Sequence, residues 1–144
     1  MCRLIAKAGI PYNFMIIPNK FIRLDYNPTT DVLLIDWPNM HDYSLPEVKY
    51  IIDEIVETVK HYDIKRILTD TRQSVITVDS AEYAGIINQL ALDLANTRLQ
   101  KFARITTPDP NRERIARDAA ALVVGAIQYK GFENSEEAIK WLTA

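Results

Sequence analysis

The chain has 144 residues, with 17 Lys and Arg against 19 Asp and Glu, a formal net charge of -2 at pH 7. Charged residues make up 25% and apolar residues 48%, the balance of one globular domain with a real core, which excludes a disordered, fibrous or low-complexity chain. The small negative charge excludes a global attraction to nucleic acid or anionic lipid, and no apolar run approaches the ~20 residues of a membrane-spanning helix.

The single cysteine, Cys2, cannot form an internal disulfide or a cysteine-based zinc site, and His41 and His61 are too few for a metal centre. A reducing, cytoplasmic setting is expected. The opening "MCRLIAKAGIPYNFMIIPNK" lacks the apolar core and small-residue cleavage site of a signal peptide.

Taken in chain order, "FIRLDYN" and "DVLLIDWP" flank a turn built on Asn27 and Pro28, which predicts a hairpin. "SLPEVKYIIDEIVETVKHYD" offers Ser44 as N-cap with Glu47 in capping-box register, and its apolar residues fall at helical spacing from Val48 to Val59. "IKRILTDT" reads as an interior strand. "DSAEYAGIINQLALDLANTR" carries Tyr83, Ile86, Ile87, Leu90, Ala91 and Leu94 at helical spacing. "KFARITT" is a further strand, and "PDPNRERIARDAAALVVGAIQ" a helix capped by Asp109 with Pro110 in its first turn. "YKGF" is a last short strand, and "NSEEAIKWLTA" a closing helix with Asn134 and Glu137 in capping register.

The predicted order is ββαβαβαβα: an α/β domain with a single mixed, mostly parallel sheet of about five strands. The parities of "KFARIT" and "FIRLDY" alternate apolar with polar, whereas strands covered on both faces would be continuously apolar. Helices are therefore expected mainly on one face, with the other half-polar and open to a dimer partner or a ligand.

The element order, "LLIDWP", "KRILTDTR" leading into "DSAEYA", and the ending "GFENSEEAIKWL" together resemble the SpoIIAA-like group of the STAS superfamily, a fold related to the CRAL-TRIO lipid-transfer proteins. The resemblance covers residues 15 to 144 and rests on loose patterns. Residues 1 to 14 lie outside it and are read as an N-terminal extension or an upstream start. In the anti-sigma-factor antagonists of this superfamily, an Asp-Ser-Ser-Gly pattern at a helix start carries the serine that a partner kinase phosphorylates. The resemblance places Ser80 at that phosphoacceptor position after Asp79, while Ala81 and Glu82 stand where the second serine and the glycine would be.

Ser80 thus has two readings, a phosphoacceptor and part of a helix start capped by Asp79 with Glu82 in register. Asp70, Thr71 and Arg72 follow the end of an interior strand, where open α/β sheets bind ligands. With Asp79 and Ser80 they form the candidate ligand or partner loop. Asp70 or Asp79 could serve as a general base, but no histidine or second carboxylate accompanies either in a recognisable motif, so no catalytic residue is assigned. Arg104, Arg112 and Arg114 form a candidate anion patch, weighed against a solvated helix face in which Arg114 pairs with Asp118. His61, near a helix end, needs no ligand role, and Trp37 and Trp141 read as packing residues.

A non-enzymatic binding or regulatory domain with a protein partner, in homodimeric form or not, is the expectation. A carrier of a small apolar or lipid-like ligand is the alternative, and an enzyme using Asp70 or Asp79 as base is the third. No cofactor, metal or nucleic acid is implied.

Overall fold

The structure is a computed structural model that describes residues 3–7, 10–17, 22–39 and 43–144, with side chains described from residue 16 onward. In chain order the elements are β1 (Arg3–Lys7), β2 (Ile10–Ile17), β3 (Arg23–Asn27), β4 (Val32–Asp36), α1 (Leu45–His61), β5 (Arg66–Asp70), α2 (Ser80–Ala95), β6 (Lys101–Ile105), α3 (Pro110–Ala121), β7 (Gln128–Phe132) and α4 (Ser135–Thr143). The strands form one sheet whose spatial order is the chain order, β1 to β7.

The α/β class and the predicted hairpin and helices are present. The sheet is larger and less parallel than the expected five mostly parallel strands: β1 to β4 pair antiparallel, and β4 to β7 pair parallel. The difference comes from the segment read as an extension. Arg3–Lys7 forms β1 and Ile10–Ile17 forms β2, and Met15, Ile16 and Ile17 pair with Tyr26, Asp25 and Leu24 along β3.

The β3–β4 turn follows its side-chain chemistry. Asn27 accepts the Thr29 amide at 3.0 Å, and Asp31 takes a left-handed φ of 54°, which a short polar side chain tolerates. The Tyr26 hydroxyl donates to Asp31 at 2.8 Å and ties the turn to the strand. Helix α1 begins with the predicted reciprocal cap: the Ser44 hydroxyl accepts the Glu47 amide at 3.3 Å, and Glu47 accepts the Ser44 amide at 3.0 Å. Its stripe Val48, Ile51, Ile52, Ile55, Val56 and Val59 is buried.

Four successive parallel strands laid down in one direction and joined by three right-handed crossovers must put their helices on the same side. Helices α1, α2 and α3 accordingly cover the face carrying Leu33, Ile35 and Ile67. Helix α4 lies on the opposite face, where Ala138 and Leu142 bury against Val32, Leu68, Ala103 and Ile105. The parity of β6 therefore has the reverse meaning of the one expected. Its apolar side lies under α4, and its polar side, with Arg104, lies beneath the three helices. On the other face polar residues remain at the antiparallel part, where Arg23 and Asp25 pair at 3.0 Å, and around α4, where Arg66, Lys101 and Gln128 stand in register.

Helix α3 stops at Ala121, short of the predicted continuation to residue 128. Residues Leu122, Val123 and Ala126 donate to carbonyls three residues back, tightening the chain. This buries Val123 and Ile127 and leaves Val124 80% exposed.

Candidate functional site

At the end of β5 the loop residues take opposite directions. Asp70 turns outward and binds Arg72 in a bidentate pair, with Nε 3.0 Å from Oδ1 and Nη2 2.7 Å from Oδ2. Asp70 also accepts the Arg72 amide at 3.0 Å. The Arg72 hydrogen bond, opposed by partial burial, holds the Asp70 carboxyl below the usual carboxylate value. This makes it a weak base and a good staple for the loop. Thr71 turns inward, is 6% exposed, and its hydroxyl accepts from Arg104 Nη2 at 3.2 Å.

Asp79 is the N-cap of α2, with Oδ2 accepting the amides of Ala81 and Glu82 at 3.1 Å. Ser80, in the first turn, is exposed, and its hydroxyl accepts from Asn111 Nδ2 of α3 at 3.2 Å. The candidate loop is therefore two small clusters: a surface pair of Asp70 and Arg72, and a helix start that touches the neighbouring helix start.

The three arginines of the candidate patch do not share one surface. Arg104, 6% exposed, donates through Nη1 to both oxygens of Glu113. Glu113 also accepts the Thr107 amide at 3.1 Å and hydroxyl at 2.6 Å. Burial pushes the Glu113 carboxyl up, but Arg104 and Thr107 outweigh it and hold the group below its usual value. Arg114 stays outside, 3.3 Å from Asp118 and 2.7 Å from Asn111. Arg112 turns inward, and its Nη1 donates to the Ser74 carbonyl at 2.8 Å. Arg104 and Arg112 come together, and Arg114 is separated from them by the helix.

These inward residues line a cavity of about 90 Å³ between α2, α3 and the sheet. Small side chains keep it open, with Ala91 on α2 and Ala116, Ala119 and Ala120 on α3 facing it. Phe102 and Tyr129 stack beneath, ring centroids 6.1 Å apart. Its polar groups gather towards the carboxyl ends of the strands: Trp37, Thr71, Arg104 and Arg112. A second, outer cavity of about 250 Å³ is lined by Ser74, Ser80, Asp109, Asn111 and Arg112, and shares Tyr83, Arg112 and Ile115 with the inner one. Burial raises the Tyr83 phenol, with Arg112 and Arg104 opposing it, so Tyr83 faces both cavities as a neutral group.

Buried polar atoms are almost always paired, yet Trp37 Nε1, Ser74 Oγ and Arg112 Nε and Nη2 are buried without a partner. Trp37 is 7% and Ser74 4% exposed. The other described case, Asp25 Oδ1, belongs to β3, away from both cavities.

Trp37 and Arg112 were read from sequence as packing and patch residues, but their inward direction was encoded. Trp37 continues the parity of Leu33 and Ile35, and Arg112 precedes Ile115 and Ala119 by three and seven residues on the buried stripe of α3. Ser74 gave no such signal. His41 lies outside the described residues. His61 packs edge-on against Tyr62 at 4.7 Å, and Trp141 packs on Phe132. Among the described residues no three His, Cys, Asp or Glu side chains are grouped as metal ligands, and no helix is long and apolar enough to cross a membrane.

No protein-family model, curated protein or solved structure matches the chain.

Proposed function

We propose that the protein is a non-catalytic binding domain that takes a small molecule with an apolar body between α2, α3 and the sheet. The observation that carries this reading is the inner cavity, apolar along Leu90, Ala91, Phe102, Ala116 and Ala119 and bordered by a polar outer cavity with which it shares Tyr83, Arg112 and Ile115. An enclosed apolar space of ~150 Å³ accepts benzene, so about 90 Å³ suits a shorter group, such as a chain of a few carbons. The reading agrees with the carrier alternative raised by the resemblance to the CRAL-TRIO fold, at a smaller ligand size than a lipid.

The test is to fill the cavity. Ala116→Leu adds apolar volume in place of a ligand. Pentan-1-ol, a neutral probe, should raise the melting temperature of the native chain and leave that of Ala116→Leu unchanged. Equal responses of the two proteins would remove this reading.

A second reading, regulation through a protein partner, is favoured by the position of Ser80. Its hydroxyl is exposed and lies beside Asn111 at the rim of the outer cavity, where a phosphate could change a docking surface. Mass spectrometry of the protein from its own cells, finding Ser80 unmodified under every growth condition, would eliminate the phosphoacceptor role.

A further inference from the structure

We propose that Arg112 is the receptor for a carboxylate, so that the ligand is a short-chain monocarboxylate held by its head at Arg112 and its chain in the inner cavity. This rests on the small-ligand reading above and adds the chemistry of the head group.

Arg112 differs from the other arginines around it in what its guanidinium has left to offer. Arg72 is bound to Asp70, Arg104 to Glu113 and Thr71, and Arg114 to Asp118 and Asn111. The Arg112 guanidinium makes one bond, from Nη1 to the Ser74 carbonyl. That bond ties the planar group to the loop after β5. Its Nε and Nη2, which together form the opposite edge, are buried and unpartnered. Among the described residues no carboxylate pairs with this guanidinium.

The Nε–Nη2 edge presents two parallel N–H donors at the spacing of the two oxygens of a carboxylate, the arrangement that makes bidentate arginine pairs strong and oriented. Two further groups around the cavities are unpartnered and more than nine-tenths buried: Trp37 Nε1, which can only donate, and Ser74 Oγ, which can donate or accept. The open set is thus dominated by donors, and the charge it leaves uncompensated is positive. The complementary head is an anionic acceptor.

A planar monoanion suits this set better than a phosphate. Only one guanidinium edge is free, because Arg104 is consumed by Glu113. The Asp109 carboxylate, which caps α3 by accepting the amides of Asn111 and Arg112, lines the same outer cavity and opposes a dianion. The apolar walls next to Arg112, Ile115 and Ala116 among them, then receive the chain of the acid.

The test is isothermal titration of the full chain with sodium pentanoate, pentan-1-ol and inorganic phosphate. Pentanoate should bind about tenfold or more tightly than either of the others, as expected for a charge-assisted bidentate contact. Arg112→Gln should abolish the preference for pentanoate over pentan-1-ol while leaving pentan-1-ol binding in place. Trp37→Phe, which keeps the ring and removes only the N–H, should weaken pentanoate several-fold and spare pentan-1-ol; it serves as the test if Arg112→Gln does not fold. Equal binding of pentanoate and pentan-1-ol by the native chain would overturn the head-group assignment and leave the cavity reading standing. Tighter binding of phosphate would overturn it in favour of a dianion site. Failure of both pentyl probes to bind would remove the cavity reading and this assignment with it.

Discussion

Glu113→Gln removes the charge that neutralises Arg104 while keeping the length of the side chain. Exposed ion pairs contribute about 0–1 kcal/mol, but this pair is covered, with side chains 8% and 15% exposed. Glu113 is also the shared acceptor for Arg104 and for the amide and hydroxyl of Thr107. Stripping one partner from a buried pair costs about 3–5 kcal/mol, because a desolvated charge is left behind. Gln can still accept some of these bonds, so a loss of about 3 kcal/mol is expected, a large part of the ~5–15 kcal/mol of a typical domain.

Urea denaturation at pH 7, extrapolated linearly, measures this loss. The acid limb gives a second reading. The folded state keeps Glu113 ionised to a lower pH than the unfolded chain does. Its contribution is therefore complete above the ordinary glutamate value of about 4.5 and lost as pH falls through the lowered folded value. The gap between native and variant chains should narrow over that window. A cost below about 1 kcal/mol at pH 7, or a gap that stays constant from pH 7 to 3, would refute the argument. The double replacement Arg104→Met with Glu113→Leu should restore part of the stability lost by Glu113→Gln, because apolar side chains carry no desolvated charge, while the Thr107 amide and hydroxyl stay without their acceptor.

Ser44→Ala should destabilise the protein by about 1 kcal/mol in the same assay, through loss of the α1 cap. Ile67→Ala, at a fully buried position on β5, should cost about 2–5 kcal/mol, and a cost below about 1 kcal/mol would mean that β5 is not interior. Arg72→Ala removes a pair whose side chains are 49% and 34% exposed. It should change stability by less than about 1 kcal/mol, and a larger loss would show that the loop after β5 depends on it.

The elements most readable in the sequence are those in which local chemistry and tertiary packing agree. Ser44 with Glu47, Asp109 before Pro110, and the apolar spacing of α1 each specify a helix start or a buried stripe without reference to distant residues. The end of α3 was misread because Val123 and Ile127 continue an apolar pattern while the backbone tightens beneath them, and only the packing against the sheet shows where helical spacing ceases. β1 and β2 were missed as strands because the resemblance began at Met15. The site was half visible. Arg104, Arg112 and Arg114 were grouped by proximity in the chain, but Glu113, lying among them, draws Arg104 inward, and the helical phase sends Arg112 and Arg114 to different sides. The cavity itself depends on Ala91 facing Ala116, Ala119 and Ala120 across two helices, a long-range pairing that a single sequence does not display.

The agreement between spatial and chain order in the sheet bears on how the protein folds. Each parallel strand closes on the one before it, Val32 with Arg66, Arg66 with Lys101 and Lys101 with Gln128, so no crossover spans another. Loop-closure entropy rises only logarithmically with length, and these three closures differ little in it. Assembly can therefore advance strand by strand from the β3–β4 hairpin, each new strand finding a completed edge to dock on. The refolding rate should be governed by the first such closure, made when Leu33 and Ile35 meet Ile67 under α1, and should respond little to changes in α4, which docks after β7 is in place.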